Sequence, residues 1–127
     1  MYIVDASAFY SLIQSPNKYS ELIINGAVLD LTLYELGNVI WKEYKLKRIK
    51  DNSKVIDNLT KLLSLMKIIR VNTIDLPEIE DLAIKIGLTF YDASYVYYAK
   101  KLGTKILTND EEMLNKSKET AISIKEF

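Results

Sequence analysis

Apolar residues along this chain follow two alternating rhythms. Short runs rich in β-branched, aliphatic or aromatic residues, at Tyr2–Val4, Ala27–Leu31, Lys67–Val71, Lys105–Leu107 and Ala121–Ile124, read as strands. Between them, apolar positions recur every three to four residues, at 33, 36, 40 and 44 and again at 55, 56, 59, 62, 63 and 66. That spacing is the buried stripe of an amphipathic helix. It predicts helices over Ala8–Gln14, Tyr19–Ile24, Leu33–Lys47, Ser53–Leu65, Leu76–Ile86, Phe90–Leu102 and Asp110–Asn115. The punctuation agrees. Ser15-Pro16-Asn17 and Asn25-Gly26 break the first two helices, Thr32 and Thr89 stand as N-caps, Pro77 lies in a first turn, and Gly87 and Gly103 act as stops. Strands alternating with helices predict an α/β three-layer sandwich, a mostly parallel five-stranded sheet flanked by helices. No repeat, linker or low-complexity tract divides the 127 residues, so residues 1–127 are expected to form a single domain.

Composition narrows the chemistry. The chain has neither histidine nor cysteine. This removes the Ser–His and Cys–His nucleophile systems, imidazole and thiolate metal ligands, and any disulfide framework. A hydrolase built from what remains would use carboxylates around a hard cation. The 17 basic and 17 acidic residues give a net charge of zero, so contact with nucleic acid requires a local basic patch. The N-terminus lacks the basic region of a signal peptide, and no apolar run reaches the roughly 18 residues of a membrane span. With cysteine absent, a reducing cytoplasm is the expected location.

Parallel α/β sheets bind ligands in the crevice outside the carboxyl ends of their strands, and acids fall there. Asp5 ends the first strand, Glu35 is expected in the first turn of the helix after the second, Asp92 opens a later helix, and Asp110 follows the fourth strand. Each has a purely structural alternative. Asp5 suits an N-cap, Thr32-Leu33-Tyr34-Glu35 a capping box, Asp92 the positive end of a helix dipole, and Asn109-Asp110 a turn and cap. Together they favour a site, because carboxylates gathered on one rim repel each other unless a cation lies among them. Glu43, Asp57, Glu80 and Asp81 fall within helices and read as solvated faces.

These segments resemble the PIN-domain family, and within it the toxins of VapBC-type toxin–antitoxin pairs. The likeness lies in Val4-Asp5-Ala6-Ser7, Tyr34-Glu35-Leu36-Gly37-Asn38-Val39, Thr89-Phe90-Tyr91-Asp92-Ala93-Ser94-Tyr95 and Ile106-Leu107-Thr108-Asn109-Asp110, taken in order across most of the chain. No acid of the set is missing. The resemblance implies that Asp5, Glu35, Asp92 and Asp110 are catalytic and bind one or two Mg²⁺ or Mn²⁺ ions. It implies an endoribonuclease leaving 5′-phosphate and 3′-hydroxyl ends, a cognate antitoxin covering the acids, and a homodimer. Ser7, Asn38 and Thr108 are candidates to orient a carboxylate or contact the substrate. For Ser7 and Thr108 the alternative is local turn bonding, and for Asn38 merely lining the cleft.

Lys42, Lys45, Lys47, Arg48, Lys50 and Lys54 form either a phosphate track for RNA or the solvated end of a helix. Tyrosines 91, 95, 97 and 98 suit core or a dimer interface better than base stacking, and Trp41 shares that ambiguity. A haloacid-dehalogenase-type phosphatase would need a second Asp at position 7, where Ser stands, and a receiver domain would need an acidic pair near the first strand end. The remaining alternative is a non-catalytic RNA-processing or interaction module with the acids as caps.

Overall fold

The structure, a computed structural model, describes residues 1–127. Five parallel strands, β1 (Tyr2–Val4), β2 (Gly26–Leu29), β3 (Lys67–Ile69), β4 (Lys105–Thr108) and β5 (Ala121–Ser123), lie in the order β3-β2-β1-β4-β5. Seven α-helices connect them: α1 (Ala6–Gln14), α2 (Ser20–Asn25), α3 (Asp30–Lys45), α4 (Asn52–Ser64), α5 (Leu76–Ile86), α6 (Phe90–Leu102) and α7 (Glu111–Lys116). Short 3₁₀ turns cover Thr73–Asp75 and Ile124–Glu126. No helix is long and apolar enough to cross a membrane.

Successive strand residues point to opposite faces, and the core divides accordingly. Val4, Val28 and Leu107 pack under α1 to α4, whereas Ile3, Leu29 and Ile106 pack under α5, α6 and α7. The expected three-layer sandwich is therefore present. Gly26 allows α2 to run straight into β2, because a Cβ there would collide with the Leu22 carbonyl oxygen. The positive φ of Gly87 (71°) and Gly103 (63°) closes α5 and α6 where the sequence places their stops.

Several boundaries differ from the sequence-based expectation. α3 begins at Asp30, so β2 ends at Leu29 and not at Leu31. Thr32 is therefore not an N-cap. It sits inside the first turn, where its hydroxyl accepts from the Leu29 amide at 3.2 Å. Glu35 consequently lies in the second turn, outside any capping box. The cause is Asp30, whose carboxylate accepts from the Leu31 amide and from the Val71 amide across the chain, at 2.9 and 3.2 Å. β3 stops at Ile69, short of Val71, whose amide is taken up by that bond. At other ends the helices extend: α1 starts at Ala6 because Asp5 caps it, and α7 runs Glu111–Lys116 with Asp110 as its cap.

The strand order locates the binding crevice. From β1 the chain moves outward through β2 to β3, then returns to β4 on the other side of β1. The connections after β1 and β4 thus diverge onto opposite faces of the sheet and leave a crevice at the strand ends, a topological switch point.

Candidate active site

Asp5 follows β1 and caps α1 with its backbone extended. Its carboxylate is buried and fully engaged. Oδ1 accepts from the Ser7 hydroxyl at 2.7 Å and the Ala8 amide at 2.9 Å, and Oδ2 accepts from the Thr108 hydroxyl at the end of β4. The Asp5 amide donates to the Leu107 carbonyl at 3.1 Å, tying the two strand ends together. Thr108 Oγ1 also accepts from the Asp110 amide at 2.9 Å, so this hydroxyl serves both the local turn and the acid. Ser7 Oγ likewise accepts from the Asn109 amide at 2.9 Å.

Asp110 caps α7, accepting from the Met113 amide at 3.1 Å through Oδ1. The structural reading of Asp5 and Asp110 as caps is thus present, and each carboxylate still faces the crevice. For α6 the cap is Thr89, whose hydroxyl accepts from the Asp92 amide at 3.1 Å. Asp92 serves this cap through its backbone amide, and its side chain lines the pocket. Glu35, in the second turn of α3, accepts from the Tyr95 hydroxyl at 2.7 Å. That hydroxyl is also 2.6 Å from Thr32 Oγ1.

Asp5, Ser7, Glu35, Asn38, Asp92, Tyr95 and Asp110 line a single pocket of about 330 Å³, with Ala6 and Val39. All four sequence-selected acids, together with Ser7 and Asn38, therefore share one site, and Thr108 supports it from beneath. No lysine or arginine lines it. The electrostatics follow. Burial pushes Asp92 up to about 6, with the charges of Asp110 and Asp5 adding to the shift. Burial also raises Glu35, with Asp5 and Asp92 contributing and the Tyr95 hydrogen bond opposing. Burial raises Asp5 against the pull of its three donors. Glu35 also helps hold the buried Tyr95 phenol well above its ordinary range, so it remains a donor.

No three of these side chains, as placed, form a ready coordination sphere. The donor set nonetheless fits a hard cation: it is all carboxylate, three of the four acids partly exposed, and it carries uncompensated repulsion that a cation would relieve. Two supporting residues had no assigned role in the sequence reading. Tyr95 links to Glu35, although its buried ring was expected. Asn109 ties α1 to β4, donating through Nδ2 to Ser11 Oγ at 3.0 Å. Both links span 60 or more residues, and no local pattern encodes them.

The PIN domain family model matches residues 2–119. The chain belongs to the PIN-domain family. Among PIN-type relatives, Exonuclease VapC9 of Pyrobaculum aerophilum is 42% identical over 117 residues, covering 92% of this chain and 86% of that protein. Ribonuclease VapC3 of the same organism is 33% identical over 122 residues, covering 90% of this chain and 92% of its own. The crystal structure of PAE2754 from Pyrobaculum aerophilum matches with a TM-score of 0.87 at 39% identity, over 98% of this chain and 84% of that one. Within the PIN-domain family the likeness in sequence is thus to VapC proteins.

Proposed function

We propose that this chain is a metal-dependent endoribonuclease and the toxin of a VapBC-type pair, with residues 1–127 acting as one nuclease domain. The observation that carries the reading is the pocket in which Asp5, Glu35, Asp92 and Asp110 converge without a basic side chain to neutralise them. In this reading those four residues hold Mg²⁺ or Mn²⁺. A divalent ion there supplies Lewis-acid activation of water and of the scissile phosphate near neutral pH, in place of the histidine that the chain lacks.

The chain's own residues set the stage. Asp5 is immobilised by three donors and so provides a fixed oxygen at the pocket floor. Tyr95 orients Glu35 from behind, as outer partners of metal ligands commonly do. Asp92, part-protonated near pH 6, gives up its proton as positive charge enters, so activity should rise with pH through that region. Asn38, exposed at the pocket edge, is placed to donate to a substrate oxygen.

The names of the relatives, one an exonuclease and the other a ribonuclease, support nucleic-acid cleavage. An internal cut is proposed because it is what the family resemblance implies, and the pocket, lined from α3 by Glu35 and Asn38 and from α6 by Asp92, is the site where it would occur. An antitoxin fits the same site by placing a guanidinium or ammonium among the carboxylates. Exposed Leu65 and Ile68, at the β3 edge of the sheet, offer apolar surface for a homodimer.

The test is incubation with linear and circular single-stranded RNA in Mn²⁺, Mg²⁺ or EDTA. Metal-dependent cutting of both substrates is expected. Cutting of the linear RNA alone would replace the endonuclease with an exonuclease. No cutting, with no metal-induced rise in melting temperature, would favour a binding module in which Asp5 and Asp110 serve only as helix caps.

A further inference from the structure

α3 carries two stripes. Thr32, Leu36 and Ile40 form the buried one. On the opposite side, Tyr34, Asn38, Trp41 and Lys45 follow at spacings of four, three and four, so they share one helix face. All are exposed, Tyr34 by 82% and Trp41 by 57%. Large aromatic rings aligned on the solvent side of a helix that already has its core stripe call for a partner.

The stripe is continuous with the acid pocket, because Asn38 belongs to both. From Asn38 it runs away from the carboxylates by about 10 Å to Lys45, at roughly 1.5 Å per residue. Its far end is cationic. Lys45 Nζ sits 5.0 Å from the centre of the Trp41 ring, and Lys42 lies beside it in the next position. The nearby acid, Glu43, is half-buried and paired with Arg48 at 3.2 Å, so it does not cancel the lysines.

We propose that single-stranded RNA crossing the pocket continues along this face of α3, with bases stacked on Tyr34 and Trp41 and backbone phosphates on Lys42 and Lys45. The proposal rests on the ribonuclease reading and adds to it the path of the strand. Rings flanked by ammonium groups are the chemistry that holds unpaired bases and their phosphates without regard to sequence. A second copy of the chain fits less well, since pairing through this face would bury Lys42 and Lys45 in the contact, and lysine is depleted from interface cores.

Trp41 is the only tryptophan, so its emission reports directly on this face. The Asp92→Asn chain in Mg²⁺ would be titrated with a uridine homopolymer, alongside anisotropy of labelled RNA and cleavage kinetics of Trp41→Ala and Trp41→Phe. The expected result is saturable quenching that weakens with salt. Trp41→Ala should raise the RNA dissociation constant and KM about tenfold with little change in kcat, and Trp41→Phe should keep most of the affinity. RNA that binds with the same affinity to Trp41→Ala and leaves Trp41 emission unchanged would overturn the proposal. So would emission that follows protein concentration and ignores RNA, which would assign the face to a second copy. Quenching by RNA that the unmodified chain fails to cut would sink the ribonuclease reading and leave the track in place.

Discussion

Two acidic sites flank α6, and the fold treats them in opposite ways. Asp75, at the end of the 3₁₀ turn before α5, is buried and surrounded by donors. The Tyr98 hydroxyl reaches it at 2.8 Å, the Tyr97 hydroxyl at 3.0 Å and the Lys101 ammonium at 3.3 Å. The Tyr98 hydrogen bond, with those from Tyr97 and Lys101, holds its carboxyl below the ordinary range. Glu35 and Asp92 stand instead among other acids and are raised. Around Asp75 the chain supplies hydrogen-bond donors and a cation. At the strand ends it supplies hydrogen-bond donors to Asp5, Glu35 and Asp110 but no cation. That unmatched negative charge is what the proposed cation would relieve.

Charge removal should separate the two sites most sharply. Asp92→Asn is expected to cut metal-dependent cleavage by roughly 100-fold or more, since even the outer partners of a metal site cost about 10- to 100-fold. In EDTA it should leave the melting temperature unchanged or slightly higher, because it relieves repulsion. Asp75→Asn should do the reverse, lowering the melting temperature by several degrees while cleavage per folded molecule persists. Thermal melts paired with single-turnover assays check both.

The pH profiles should also oppose each other. Asp92 has a folded pKa near 6, above its ordinary 3.8, so the native state binds the extra proton between those values. Its contribution to stability is present at acid pH and is lost as pH rises through about 6. Asp75 is shifted down, so its contribution is present above the ordinary carboxylate range and is lost on acidification below it. Metal-free melts across this range should therefore show a decline towards neutral pH that Asp92→Asn flattens, and an acid limb that Asp75→Asn flattens.

The smallest expected effect is that of Tyr95→Phe. It removes the donor to Glu35 and the partner of Thr32 but keeps the buried ring. About 1 kcal/mol of stability should be lost. Metal affinity, read from the Mn²⁺ dependence of cleavage, should weaken about tenfold. Equal loss at all Mn²⁺ concentrations would assign Tyr95 to packing alone.

These contrasts explain what could be read in advance. α5 and α6 were legible because their signals are local: Pro77, Gly87, Thr89 and Gly103 act on their immediate neighbours. The gathering of Asp5, Glu35, Asp92 and Asp110 was legible because strand alternation places their elements at one rim. The start of α3 was not, because Asp30 is held by Val71 and Thr32 by Tyr95, partners 41 and 63 residues away. The donors around Asp75 escaped for the same reason, lying 22 to 26 residues along the chain. Periodicity reports which face is buried, whereas the orientation of each polar side chain depends on contacts that form only on folding.

If the rim acids await a cation, melting temperature against Mn²⁺ concentration for the natural chain and Asp92→Asn is the direct measurement. A saturating rise is expected for the natural chain, about 2.7 kcal/mol of stabilisation at a hundredfold excess over the dissociation constant, and a much weaker response in the variant. An identical response in both chains, or none in either, would contradict it.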